Sequence, residues 1–155
     1  MSDKEKSYIS VLNRLRHLLA GERDEISVLS TVACELHHSF QHFNWTGFYR
    51  VVGRTELKVG PYQGGHGCLT IDFSRGVCGR CARDKKLINV PDVHAFPGHI
   101  ACDSNTCSEI VLPVLNSRGE LRAVLDIDSN DRNAFDSTDE AYLKDIVQLL
   151  TPYLS

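Results

Sequence analysis

A chain of 155 residues has room for one domain of ordinary size around one core, and not for two. Its 42% hydrophobic and 24% charged composition is that of a globular protein, which argues against disordered and fibrous classes. A net charge of -3 without a basic run argues against a nucleic-acid surface, and no apolar stretch approaches the roughly 18–20 residues of a membrane span.

Residues 5–20 place Ile9, Leu12, Leu15, Leu18 and Leu19 at helical spacing and end near Gly21. A second amphipathic helix follows Asp24, with Ile26, Leu29, Val32, Leu36 and Phe40 on one face and Cys34 expected as a small packing residue. Strand patterns then take over. Trp45 to Val52 and Glu56 to Val59 flank a hairpin turn at Gly53-Arg54-Thr55, and Cys68 to Phe73 is a further candidate strand. A short helix is expected from Gly76, then a strand over Leu87–Val90, then a loop over residues 91–108. Glu109 to Leu115 and Glu120 to Asp128 read as a second hairpin. The last helix opens on the capping box Ser137-Thr138-Asp139-Glu140 and buries Leu143, Ile146, Val147 and Leu150. The expected architecture is a single α+β domain over residues 1–155: two helices, a mostly antiparallel sheet, one helix.

The opening Met1-Ser2-Asp3-Lys4-Glu5-Lys6 lacks the apolar segment of a secretory signal, so a cytoplasmic location is expected. There thiols stay reduced, and cysteines are more often catalytic or metal-binding than structural. Three of the six, Cys68, Cys78 and Cys102, lie in polar, glycine-bearing settings: Gly64-Gly65-His66-Gly67-Cys68, Gly76-Val77-Cys78-Gly79 and Gly98-His99-Ile100-Ala101-Cys102-Asp103. Cys78 falls at a helix start, where the macrodipole favours thiolate. A dithiol cycle needs one attacking thiolate and a resolving thiol within its reach, and three loop-sited thiols meet that requirement. A zinc pattern competes, with Cys78-x-x-Cys81, Cys102 and Cys107 supplying four sulfurs and His94 and His99 further ligands. Structural zinc sites usually show two tight pairs, and here only one is tight; no bound metal is expected. Cys81 is read as a packing residue and Cys107 as incidental. His37, His38 and His42 are explained by exposed surface or by a helix C-terminus.

In Val124-Leu125-Asp126-Ile127-Asp128, strand alternation sends Asp126 and Asp128 to one face and Leu125 and Ile127 to the other. Two carboxylates about 7 Å apart repel, so enclosure would raise the pKa of one of them. A solvated sheet edge explains the pair equally well. Glu109 opens the partner strand, and Trp45 and Tyr49, four residues apart, can line one face of the first strand. Aromatic walls with converging carboxylates suit a small cationic or zwitterionic ligand.

At these residues the chain resembles the free methionine-(R)-sulfoxide reductases, enzymes built on a GAF domain. The resemblance rests on Asn44-Trp45-Thr46-Gly47-Phe48-Tyr49, Gly60-Pro61-Tyr62-Gln63-Gly64, Arg75-Gly76-Val77-Cys78-Gly79 and Asp92-Val93-His94 through Gly98 to Asp103. It continues in Ser108-Glu109-Ile110-Val111-Leu112-Pro113 and Val124 to Ser129. It implies a GAF-like six-stranded antiparallel sheet flanked by helices, with a small pocket beneath the long loop. It further implies that Cys102 attacks the sulfoxide sulfur, that Cys68 resolves the resulting sulfenic acid as a disulfide, and that Cys78 is an alternative resolver or relay. Glu109 and Asp128 would face the sulfoxide, Asp126 the substrate ammonium, and Trp45 and Tyr49 the methyl and thioether. The implied partners are free methionine-(R)-sulfoxide and thioredoxin or a related dithiol donor, with no bound cofactor. The oligomeric state stays open, a homodimer included. A GAF module that binds a small ligand or senses redox state without turnover is the alternative reading.

Overall fold

The computed structural model describes residues 1–155. Helices α1 (Asp3–Leu18) and α2 (Glu25–Ser39) precede strands β1 (Trp45–Val52), β2 (Glu56–Gln63) and β3 (Thr70–Asp72). Helix α3 (Gly76–Asp84), strands β4 (Ile88–Val90), β5 (Ser108–Leu115) and β6 (Leu121–Ser129), and helix α4 (Ser137–Leu150) complete the chain. The six strands form one antiparallel sheet in the order β3-β2-β1-β6-β5-β4, with β1 and β6 at its centre. No helix is long and apolar enough to cross a membrane.

Strand alternation divides the interior in two. One face presents Phe48, Ile110, Leu112, Val114, Leu125 and Ile127 to α1, α2 and α4, forming the larger apolar cluster. At roughly 1.5–3 kcal/mol per fully buried large apolar side chain, this layer is the main source of cohesion. Truncating Phe48, which has no exposed surface, to Ala should cost about 3–5 kcal/mol. The opposite face carries Trp45, Tyr49, Val111 and Val124 beneath α3 and the loop that follows β4, and it holds the candidate site.

Several local expectations shift. Strand β2 runs past Gly60-Pro61 because Val59 pairs with Tyr49 and Tyr62 with Gly47, leaving two β2 residues opposite Phe48. This bulge accommodates the proline that an unbroken ladder would exclude. Cys68 precedes β3 instead of opening it. Loop 91–108 contains a 3-10 turn, Val93–Ala95, and is tied down where the Val93 N–H donates to the Cys107 carbonyl (2.9 Å) and the Cys107 N–H to that of Ser129 (2.8 Å). The α4 cap is Asp136, one residue before the expected box. Its backbone is extended while Ser137 is already helical, and its carboxylate accepts from the Asp139 N–H as the Asp139 side chain accepts from its own. On α1 and α2 the apolar faces turn slightly from the expected ones: Tyr8, Val11, Val28 and Ala33 are buried, whereas Leu18 and Ile26 are exposed.

Cys34 is not a packing residue. It lies on the exposed side of α2, with its Sγ 3.7 Å from His38 Nδ1. His42 also departs from its surface reading. Together with Tyr8 Oη (2.6 Å) and Lys4 Nζ (2.8 Å), its Nε2 (3.2 Å) bonds the fully buried Asp139, joining α1, the α2–β1 connection and α4. Burial alone would raise the Asp139 pKa, but hydrogen bonds from His42, Lys4 and Tyr8 hold it well below the ordinary carboxylate range.

Candidate active site

Register across the sheet brings the acids together. Glu109 of β5 pairs directly with Asp128 of β6, which pairs in turn with Trp45 of β1; one pleat along, Asp126 lies between Val111 and Gly47. Trp45, Asp126, Asp128 and Glu109 therefore share a face and line one cavity with Tyr49, Cys78 and Cys102. The solvated-edge alternative fails. Asp126 is 4% exposed and Glu109 6%, and although Asp128 is partly exposed its Oδ1 is buried.

No Lys or Arg lines this cavity. Burial, then the charge of Asp126, pushes Glu109 well above its ordinary pKa. Burial, then Asp128, does the same to Asp126, and burial, then Glu109, to Asp128. Oδ1 of Asp126 and Oδ1 of Asp128 are both buried without a hydrogen-bond partner. Such a set can hold protons for donation, or receive a cation once ionised.

Aromatic rings form one wall. Trp45 stacks between Tyr49 (centroids 5.6 Å) and Tyr62 (5.2 Å), and its indole N–H donates to the Gly65 carbonyl at 2.9 Å. The glycine-rich turn before Cys68 is thereby fastened to the wall. A Cβ at Gly67 would fall 2.9 Å from both Trp45 Cζ2 and Tyr49 Oη, so this close approach requires glycine.

Cys68 and Cys102 form a disulfide across the cavity, with Cα atoms 5.3 Å apart, well inside the usual range. Cys68 is half-buried and Cys102 exposed, which places the bond at the rim. Beneath it lies a small cavity of about 30 Å³. Ile100, two residues before Cys102, closes against the start of α3, where a Cβ on Gly76 (φ +69°) would meet its side chain at 3.1 Å.

Cys78 lies at the start of α3 as expected, but its thiol is not poised as thiolate. It is buried, and its Sγ–H points at Glu109 Oε2, 3.9 Å away. Burial, then Asp126, Glu109 and Asp128, pushes its pKa well up. Cys81 is fully buried one turn later, the packing residue expected. The four-sulfur zinc pattern does not assemble: Cys102 is bonded to Cys68, and the Cys107 thiol donates to the Asn105 carbonyl at 3.6 Å. His99 lines the cavity and His94 does not, while His66, Asp103 and Thr106 do so without having been singled out as site residues. Their signal in the sequence was proximity to Cys68 and Cys102.

Known proteins resemble this chain in sequence and in fold. The GAF domain family model matches residues 23–154. GAF domain-containing protein A of Dictyostelium discoideum is 46% identical, over 95% of this chain and 92% of its own. The free methionine-R-sulfoxide reductase of Escherichia coli is 36% identical, over 99% of this chain and 92% of its own. A crystal structure of free methionine-R-sulfoxide reductase from Neisseria meningitidis in complex with its substrate superimposes with a TM-score of 0.91 at 41% identity, covering 97% of this chain and 90% of that one. The chain therefore belongs to the GAF domain family and, within it, to the free methionine-R-sulfoxide reductases.

Proposed function

We propose that the protein reduces free L-methionine-(R)-sulfoxide to methionine at the expense of two thiols. The observation that carries this reading is the Cys68–Cys102 disulfide above the buried Glu109 and Asp126 and the partly exposed Asp128. Reduction of that bond frees Cys102 at the rim. Its thiolate attacks the sulfoxide sulfur while Glu109 or Asp128, held protonated by burial and mutual repulsion, protonates the oxygen. The hydroxyl then passes to Cys102: a Cys102 S–O bond forms as the substrate's S–O bond and the transient S–S bond to Cys102 break, so that methionine leaves and Cys102 is left as a sulfenic acid. The Cys68 thiol then displaces that oxygen as water and forms the disulfide. A dithiol protein of the thioredoxin class exchanges with the bond and restores both thiols. The exposure of Cys102 supports access for such a donor.

Trp45 and Tyr49 enclose the methyl and thioether groups, and Asp126 receives the ammonium. An acidic cavity without Lys or Arg favours a free amino acid over a residue in a peptide, whose amide nitrogen carries no charge. Cys78, buried and protonated, acts later than Cys68 or as a relay.

The test is steady-state reduction of both sulfoxide epimers, free and within a peptide, with NADPH, thioredoxin reductase and thioredoxin. Turnover should appear with the free R epimer and vanish in Cys102→Ser. Normal turnover by that variant defeats the mechanism, and tight binding of the sulfoxide without methionine release would mark a sensor instead.

A further inference from the structure

Below the disulfide, one sulfur and two carboxylates converge. The ligand atoms of Cys78, Glu109 and Asp126 all lie within 4.8 Å of one another, and all three residues are buried. We propose that Cys78, Glu109 and Asp126, with Asp128 at their edge, form a binding site for one thiophilic divalent cation of the zinc class.

Geometry comes first. Zinc holds sulfur at about 2.3 Å and carboxylate oxygen at about 2.0–2.2 Å, so tetrahedral ligands stand about 3.5 Å apart. Cys78 Sγ and Glu109 Oε2 are 3.9 Å apart, which leaves only side-chain adjustment to close the shell. The second support is independent of that spacing. Asp126 is 4% exposed, and its Oδ1, like that of Asp128, is buried in the cavity wall without any hydrogen-bond partner. Lone pairs in that position call for a donor or a cation. No Lys or Arg lines the cavity, and its free volume of about 30 Å³ suits an ion.

The donor set chooses the metal class. Magnesium and calcium require six or more oxygens, whereas one thiolate with carboxylates suits zinc, cobalt or cadmium. Binding forms one metal–sulfur bond and two metal–oxygen bonds, and releases to solvent the Cys78 thiol proton and the protons that the Glu109 and Asp126 carboxyls hold, with no change of oxidation state. This site is not the four-cysteine pattern of the sequence, since Cys81, Cys102 and Cys107 take no part. The metal would occupy the acids assigned above to substrate, so it acts as a competitor and not as a cofactor.

Cobalt(II) titration of the disulfide form isolates the site, because Cys68 and Cys102 cannot then supply thiolate. One equivalent should bind with a near-ultraviolet thiolate-to-cobalt charge-transfer band, displaced by one equivalent of zinc. Cys78→Ser should remove the band, and Asp126→Asn, which keeps the thiol, should weaken zinc binding at least tenfold in a chelator competition. No band, a band that survives Cys78→Ser, or unchanged zinc affinity in Asp126→Asn overturns the proposal. If Cys78→Ser does not fold, the Asp126→Asn affinity decides. Metal binding without sulfoxide turnover would overturn the reductase reading while leaving this site standing.

Discussion

Replacing Asp126 by Asn should stabilise the fold while impairing the proposed reaction. The change preserves shape and replaces an ionisable carboxyl by a neutral amide. In the folded protein, burial and then Asp128 hold the Asp126 carboxyl well above its ordinary pKa, whereas in the unfolded chain it ionises near pH 4. Above that pH the folded state holds a proton that the unfolded state has lost. Stability therefore declines by about 1.4 kcal/mol per pH unit for such a group, and the contribution is intact only below pH 4. Asn does not titrate, so the variant's advantage should be small near pH 4 and widen with pH, towards a ceiling of about 4 kcal/mol at pH 7. The lost carboxylate partner for the ammonium should lower kcat/KM about 100-fold, equivalent to about 2–3 kcal/mol. Urea unfolding followed by far-UV circular dichroism at pH 5, 6 and 7, with the disulfide intact and a chelator present, measures the stability arm. A gap that does not widen with pH, or a variant less stable throughout, would refute the electrostatic account of the cavity.

Other consequences follow from particular contacts. The Cys68–Cys102 bond closes a sequence separation of 34, for which the loop-entropy model gives about 4 kcal/mol, so a phosphine reductant should lower the urea midpoint accordingly. An unchanged midpoint would contradict this pairing. Gly67→Ala drives a methyl into Trp45 and Tyr49, at about 1–3 kcal/mol of strain, and should raise KM for the sulfoxide at least tenfold. Wild-type kinetics in that variant would remove the aromatic wall from the account. Asp139→Asn should cost about 3 kcal/mol at pH 7. Because the Asp139 carboxyl is depressed in the fold, its stabilisation is present above pH 4 and lost as pH falls below it. The variant's deficit should thus shrink between pH 4 and pH 2, and a constant deficit would locate its effect elsewhere.

The sheet and its polarity were legible because strand alternation is a local property. Asp126 and Asp128 on one face, with Leu125 and Ile127 on the other, follow from the period of two and appear as such. Helix faces were legible less finely. On α2, Ile26 sits at the first turn and is left exposed, while Val28 and Ala33 complete the buried stripe. The chemical state of Cys78 was the largest departure. A helix start predicts a lowered pKa, but the sequence does not reveal that Glu109, thirty-one residues later, lies against the thiol. Long-range register produces that contact: Glu109 opposes Asp128, and α3 packs over both. The role of Gly67 was equally hidden, since its need for close approach depends on where the Trp45 ring points.

A single-turnover experiment bears most directly on the central claim, that Cys102 takes the oxygen and Cys68 resolves it. Fully reduced protein is mixed with one equivalent of free methionine-(R)-sulfoxide without any recycling system, and products are mapped by mass spectrometry. The wild type should yield one methionine per chain and a Cys68–Cys102 disulfide, and Cys68→Ser should yield the methionine with a dimedone-trappable sulfenic acid on Cys102. Methionine formed without oxidation of Cys102, or a sulfenic acid found on Cys78, would contradict the account.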